Sequence, residues 1–96
     1  MTIQPVTVTL LSGVAYTSGT YALAGSNRTM GVQIYNWGTT GQTMIIGFGG
    51  NPSGYTGIPL PPGNMWEPPT GLIPQQDIYI RAITGSPAYT LIQYHN

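Results

Sequence analysis

The residues that could do acid–base or metal chemistry in this chain are few. The charged side chains are Arg28, Glu67, Asp77 and Arg81, and the one histidine is His95. Two carboxylates act as a glycosidase pair only at a defined separation across the scissile bond, and pairing with the two arginines is their simpler role. One histidine per subunit could bind an ion on a threefold axis, but no cysteine or second histidine completes a metal site. We therefore expect a non-enzymatic protein with no catalytic, cofactor-binding or metal-binding residues.

Phosphate, nucleic acid and membrane partners are also disfavoured by the residue types. The segment "GFGGNPSG" at 47–54 is rich in glycine, but it fits no phosphate-binding fingerprint, and the chain has no lysine. Two arginines cannot form the basic patch that nucleic-acid binding needs. No apolar run approaches the roughly 18–20 residues of a membrane-spanning helix. The first residues lack the basic and apolar regions of a secretory signal, so we expect none there.

The low charge of the chain indicates a surface that neighbours cover. Charged residues make up 4% of the chain and the net charge is zero, whereas a typical domain has about 25% charged residues. A folded monomer of 10.2 kDa exposes about 5,300 Å², so the surface area per ionised group is very large. We expect self-association or binding to a larger partner. The alternative is a neutral monomer that is merely poorly soluble.

The hydrophobic periodicity is that of β-strands. In "PVTVTL", Val6, Val8 and Leu10 share one face and Thr7 and Thr9 the other, which predicts a half-buried strand. The segments "VAYT" and "TYAL" flank "SG" and predict either a short hairpin or two edge strands.

Two further segments alternate clearly and predict one antiparallel hairpin over residues 29–48. The first should point Met30, Val32 and Ile34 inward, and the second Met44, Ile46 and Phe48. Near the end, "DIYIRAI" and "AYTLIQYH" predict two more strands joined by a "TGSP" turn. About seven to nine short strands without substantial helix indicate a single all-β domain over 1–96, a small antiparallel β-sandwich or jelly-roll-like barrel.

The middle of the chain is a Gly/Pro-rich crossover at 49–71. Within it, "GIPL" predicts a short edge strand, where proline is tolerated, and "MWE" a brief second strand. So long an irregular segment in a compact domain usually has a function or contacts another molecule. Residues 1–5 are a possible extended arm that could add a strand to a neighbouring sheet.

With little charge available, aromatic and apolar side chains are the candidate interface residues. An aromatic residue in a predicted loop or on an outward strand face has two possible roles: it can anchor a partner, or it can pack against the core. The candidates are Trp37, Tyr55, Trp66 and Tyr35, together with Ile3 and Pro5 of the arm.

Several of these motifs together resemble a family of small all-β virion proteins of tailed bacteriophages. The resemblance covers about two thirds of the chain. Its motifs are Arg28, "MGVQIYNWGTTG", "GFG" at Gly47–Gly49, "GIPLPPG" at Gly57–Gly63, "DIYIRAI" at Asp77–Ile83 and "YTLIQY" at Tyr89–Tyr94. The prolines of "EPPT" and the bulk of Trp37 and Trp66 depart from the pattern, so contacts peculiar to this chain are expected there.

The resemblance implies a structural protein of the phage particle. The expected role is a head decoration or cement protein that binds between coat subunits as a homo-oligomer, with a trimer as the first expectation. Its partners would be the major capsid protein or a neighbouring virion protein, and its location the virion after synthesis in the host cytoplasm. The alternatives are a receptor- or glycan-recognition module, or a component of a head fibre, collar or baseplate.

Overall fold

A computed structural model describes residues 7–23, 25, 29–52, 57–69 and 75–95. Within these residues the chain forms eight β-strands and no helix, which confirms the predicted all-β class. The strands are β1 (Thr7–Val14), β2 (Thr20–Leu23), β3 (Thr29–Asn36), β4 (Met44–Phe48), β5 (Ile58–Leu60), β6 (Met65–Trp66), β7 (Ile78–Ala82) and β8 (Ala88–His95).

The strands form two four-stranded antiparallel sheets. The first sheet has the order β1-β8-β3-β6 and the second the order β2-β7-β4-β5. The pairing is nested, because β1 pairs with β8, β2 with β7, β3 with β6 and β4 with β5. A chain folded back on itself in this way and divided between two sheets is a jelly roll. This is the sandwich that the strand pattern predicted.

The predicted hairpin over 29–48 is wrong, although both of its strands exist. β3 lies in the first sheet and β4 in the second, and residues 37–43 cross between the sheets. The hairpin alternative for "VAYT" and "TYAL" is wrong for the same reason: Val14 ends β1, and β2 pairs with β7 as an edge strand of the second sheet. Alternation shows which face of a strand is buried, but it does not show which strand lies beside it.

The core lies between the two sheets and consists of the side chains that point inward from the strands of both sheets. The predicted alternation is confirmed in β3 by Val32 and Ile34 and in β4 by Met44 and Ile46, all of which are buried. The rest of the buried apolar core is Ala15, Leu60, Ile78, Ile80, Ala82, Tyr89 and Leu91. The apolar stripes of β3 and β8 in the first sheet therefore face those of β4 and β7 in the second.

The expected burial of the Val8 and Leu10 face of β1 is wrong. These side chains are 54% and 64% exposed, and Leu11 packs against the core instead. The reason lies at Gly13, which pairs with Tyr89 on β8. A Cβ atom at Gly13 would lie 2.7 Å from the Tyr89 hydroxyl oxygen, so glycine lets the buried ring lie against β1. That register turns the odd-numbered residues of β1 inward.

The buried side-chain amide of Asn36 connects the two sheets at one end of the sandwich. Its Nδ2 atom donates to the carbonyl oxygens of Gln42 at 2.8 Å and Leu60 at 2.9 Å, and its Oδ1 atom accepts from the Gly38 N–H at 2.7 Å. Asn36 belongs to the first sheet, Leu60 to the second, and Gln42 and Gly38 to the loop between β3 and β4. One amide therefore holds three chain segments together.

We expect Asn36→Ala to lower the free energy of unfolding by about 2–4 kcal/mol, because it leaves buried backbone groups without partners. Urea unfolding followed by circular dichroism measures this loss. Asn51→Ala is the matched control, since the exposed Asn51 side chain donates one hydrogen bond, to Ser18 O at 3.0 Å. The control should lose less than about 1 kcal/mol. Equal losses in the two variants would contradict the role of Asn36.

Burial raises the pKa of the Tyr89 hydroxyl above its usual value of 10.0. The unfolded chain therefore ionises this group at lower pH than the folded chain does. Its contribution to stability is complete below pH 10 and is lost as the pH rises through the folded pKa. We expect stability to fall above about pH 10 and Tyr89→Phe to show a shallower fall. Thermal unfolding across alkaline pH tests this, and parallel curves for the two proteins would refute it.

Candidate interaction surface

The solvent-facing side of the first sheet, called here the outer face, is largely apolar. It carries the side chains of β1, β8, β3 and β6 that point away from the core. Register places them in rows across the sheet: Leu10 lies beside Ile92, and Ser12, Thr90, Tyr35 and Met65 lie side by side. Leu10 and Met65 stand at opposite edges and are both exposed. The outer face therefore offers aliphatic and aromatic side chains across its whole width.

An ordered aromatic pair forms one end of the outer face. The rings of Tyr35 and Trp37 are stacked, with centroids 5.6 Å apart and planes 7° from parallel. The Trp37 indole N–H donates to the Thr90 hydroxyl at 2.8 Å, and the Trp37 backbone N–H donates to Ala88 O at 2.8 Å. The indole is nevertheless 60% exposed. A partner that binds this ring would lose little side-chain entropy, since the ring is already held in place.

Charge is scarce on this surface. Among the described residues the outer face carries one ionised group, Glu67, whose Oε2 atom accepts a hydrogen bond from Gln33 Nε2 at 3.1 Å. The Asp77 carboxylate accepts from Gly25 N at 2.7 Å at the end of the second sheet. The His95 ring is hydrogen-bonded to the Thr9 hydroxyl at 3.1 Å. The two carboxylates and the histidine are thus spread over the molecule.

Arg81 has a structural environment on the opposite side of the sandwich. Its Nε atom donates to Thr17 O at 2.8 Å and a terminal nitrogen donates to Pro52 O at 3.2 Å. The guanidinium therefore ties two loops to the second sheet. One of these loops brings Pro52 against Gly47, where a Cβ atom would lie 2.7 Å from Pro52 Cδ. This covering loop explains why Ile45 is buried on the side of β4 that points away from the core.

The second sheet also carries an aromatic pair on its outside. Tyr21 and Tyr79 make an edge-to-face contact with centroids 5.3 Å apart. Desolvation, followed by the negative charge of Asp77 and by Tyr79, raises the pKa of Tyr21. Nearby, a depression of about 130 Å³ is lined by Thr17, Ile45, Arg81, Ala82 and Ile83. Small-molecule sites usually measure about 300–1,000 Å³, so this depression is too small for most ligands.

The candidate residues predicted from sequence do not gather at one place. Tyr35 and Trp37 lie together on the outer face, whereas Trp66 points inward opposite Ile34 and packs against the Phe48 ring, with centroids 5.5 Å apart. Tyr55, Ile3, Pro5 and Arg28 lie outside the described residues, as does the arm at 1–5.

The structure adds exposed residues that the sequence did not single out. These are Val8, Leu10 and Met65 of the outer face, and the partly exposed Ile92 lies beside Leu10. The alternation in β1 is visible in the sequence, but it predicts that the apolar face of this strand points to the core. Gly13 is the sequence signal that corrects this prediction, because this residue without a side chain lies on the other face of the same strand and leaves room there for a neighbour.

The comparisons with known proteins give no relative from which a function could be inferred, so the fold and the outer face are the guides to function. No family model matches the chain, and no curated protein gives a significant match. Across the described residues, no cluster of three or more His, Cys, Asp or Glu side chains could hold a metal ion. The same part of the chain contains no helix of the length and hydrophobicity needed to cross a bilayer.

We expect the two tryptophans to report opposite environments. Trp66→Phe leaves Trp37, which should emit at long wavelength and be quenched strongly by acrylamide, because its ring is exposed. Trp37→Phe leaves Trp66, which should emit at shorter wavelength and resist quenching, because its ring packs against Phe48. Steady-state fluorescence of the two variants measures both properties. Similar quenching constants would contradict the placement of the two rings.

Proposed function

We propose that this chain is a non-enzymatic structural protein of a tailed-phage particle, a decoration or cement protein that binds the outside of the head between coat subunits and stabilises the shell. The observation that carries the proposal is the apolar outer face, with its ordered Trp37 and a single carboxylate among the described residues. The jelly roll supports it by analogy alone, since viral capsid and lectin domains share this architecture.

The physical argument is the cost of leaving such a surface in water. Monomeric proteins seldom expose a continuous apolar patch of more than about 300–600 Å² unless it has a binding role. The folded chain exposes 5656 Å², and its four charged side chains leave most of that area without ionised groups. Burial of the outer face against a partner would remove apolar area from water, and each Å² so removed contributes about 25 cal/mol.

An apolar attachment also suits a particle that meets changing salt concentrations. Exposed ion pairs contribute about 0–1 kcal/mol and are screened by salt, whereas burial of apolar area is not weakened by it. The partner under this proposal is the major capsid protein or a neighbouring virion protein, and the protein also associates with itself. The trimer expected from the resemblance stays a prediction, as does the location in the virion.

The second candidate function is recognition of a host-surface glycan within a fibre, collar or baseplate. The stacked and exposed Trp37 ring favours it, because an oriented aromatic face with a hydroxyl group beside it suits a ligand that is partly apolar and partly polar. Copy number in purified particles separates the two functions. Hundreds of copies support decoration, a handful supports a fibre, collar or vertex position, and binding of the isolated protein to a glycan array supports recognition.

We expect Trp37→Ala to weaken attachment to particles that lack the protein by about 10- to 100-fold, as for a buried aromatic anchor. Co-sedimentation with such particles over a range of protein concentrations measures the change. Tyr21→Ala is the control, because Tyr21 is 53% exposed but belongs to the second sheet, and it should bind as the unmodified protein does.

Two outcomes would overturn the apolar attachment. One is equal weakening by Trp37→Ala and Tyr21→Ala. The other is a larger effect of Arg28→Ala together with loss of binding when the salt concentration is raised about tenfold, which would indicate an electrostatic attachment.

A further inference from the structure

Among the described residues, the edge of β1 away from β8 is open, and the sequence of β1 lacks the usual protections against pairing with another chain. β1 pairs with β8 through all eight residues in unbroken register, and no described strand lies along its other edge. Edge strands are normally protected by lysine, by proline, by a bulge or by short length. β1 has the sequence TVTLLSGV, which contains no proline and no charge.

The backbone groups at this edge can be assigned from two hydrogen bonds. Ala15 N donates to Pro87 O, and Trp37 N donates to Ala88 O. Pro87 thus faces β1, and Ala88 faces β3. Because the direction alternates along an antiparallel strand, the odd-numbered residues of β1 bond to β8. The even-numbered residues direct their N–H and C=O groups to the open edge. These residues are Val8, Leu10, Ser12 and Val14. The carbonyl oxygen of Val14 also accepts a long hydrogen bond, 3.4 Å, from the Thr20 hydroxyl.

We propose that β1 pairs with β1 of a second copy of this chain, antiparallel, about a twofold axis that passes beside Leu11 perpendicular to the sheet. In this register Leu10 lies opposite Ser12 of the second copy, and Val8 lies opposite Val14. Each such pair exchanges two backbone hydrogen bonds, so every outward-directed group of β1 is used. A shift of two residues in either direction would leave one end of the strand without a partner.

The side chains are compatible with the same register. A twofold axis perpendicular to the sheet keeps both outer faces on one side, so the exposed Val8 and Leu10 of one copy adjoin those of the other. On the inner side, Leu11 meets Leu11 of the second copy in a closely spaced pair without hydrogen bonds. β1 itself carries no charged side chain that would oppose the contact. The product is one eight-stranded sheet with a continuous apolar outer face.

The second copy is the favoured occupant because this edge is complementary to itself. An isologous contact needs the same patch on both partners, and β1 supplies matched hydrogen-bonding groups with no other sequence required. The proposed function includes self-association, and β1 is the surface that would mediate it. The pairing rests on the proposed function only through that self-association. It predicts a twofold pair, whereas the resemblance implies a trimer, and the two predictions differ in the mass that is measured. A strand of eight residues spans about 26 Å, so the contact belongs to the smaller interfaces and the dimer should dissociate on dilution.

Sedimentation velocity over a concentration series tests the pairing. The mass should rise from 10.2 kDa at high dilution toward twice that value. Leu10→Lys places a charge at the edge in each copy and should weaken the dimer at least about tenfold, as charged edge residues do in natural sheets. Ile83→Lys is the matched control, since Ile83 is an exposed aliphatic residue, 52% accessible, outside the strands. It should dimerise as the unmodified chain does, and circular dichroism checks that both variants fold.

A disulfide test addresses the register, because the chain contains no cysteine. In the proposed pair, Leu11→Cys brings two thiols together with Cα atoms about 4.5 Å apart, within the roughly 4.4–6.8 Å range of disulfides. Thr9→Cys, on the same face of the same strand, leaves its two thiols about four residues, or about 13 Å, apart. Oxidation should cross-link the first variant and not the second. If Leu11→Cys fails to fold, the double variant Leu10→Cys/Ser12→Cys tests the same register through two exposed positions.

The inference is overturned by a chain that stays monomeric at high concentration, by a threefold mass, by a dimer that Leu10→Lys leaves intact, or by cross-linking of Thr9→Cys in preference to Leu11→Cys. Particle binding is scored separately. Trp37→Ala, which lies away from the β1 edge, should leave the dimer intact. A monomeric chain that still decorates particles would refute the pairing and leave the decoration role standing, whereas a dimer that does not bind particles would refute the decoration role and leave the pairing standing.

Discussion

The structure depends on the buried amide of Asn36, which hydrogen-bonds the first sheet to β5 of the second and to the loop that joins them. Alternation along β3 then determines what surrounds it. Because Asn36 points inward, Tyr35 and Trp37 on either side both point outward, onto the same face of the sheet. The interaction that closes one end of the sandwich therefore also positions the aromatic pair that the proposed function uses.

Neutral amide, hydroxyl and carbonyl groups make most of the polar contacts that hold the described part of this fold together. Where Arg81 is used, it donates to two backbone carbonyl oxygens and holds loops against the second sheet. The Asn36 amide likewise donates to two backbone carbonyl oxygens, those of Gln42 and Leu60, at one end of the sandwich. Amide, hydroxyl and carbonyl groups satisfy the buried backbone without ionisation, so little of this network is sensitive to salt. A fold of this kind leaves the outer face free to be apolar.

The exposed stripe on β1 follows from packing in the core. The Tyr89 ring occupies the space that a side chain at Gly13 would fill, and Gly13 lies on the same face as Leu11. With that face turned inward, Val8 and Leu10 must point to solvent on an edge strand. A one-residue change of register would bury them and expose Leu11. The register of β1 against β8 therefore determines both the packing of Leu11 against the core and the exposure of the surface proposed for assembly.

The sequence by itself determined the all-β class, the approximate strands and the inward residues of β3 and β4, because a period of two is a local property of the chain. It also identified Tyr35 and Trp37 as candidate interface residues. Only the tertiary structure decided that β3 and β4 lie in different sheets, that β1 buries its odd-numbered face, and that Trp66 packs inward while Trp37 stays exposed. Each of these depends on residues far away in the chain: β8 beside β1 and β3, Tyr89 beneath Gly13, and Phe48 against Trp66. Pairing between distant strands is set by how their side chains fill a shared core, and no local pattern records it.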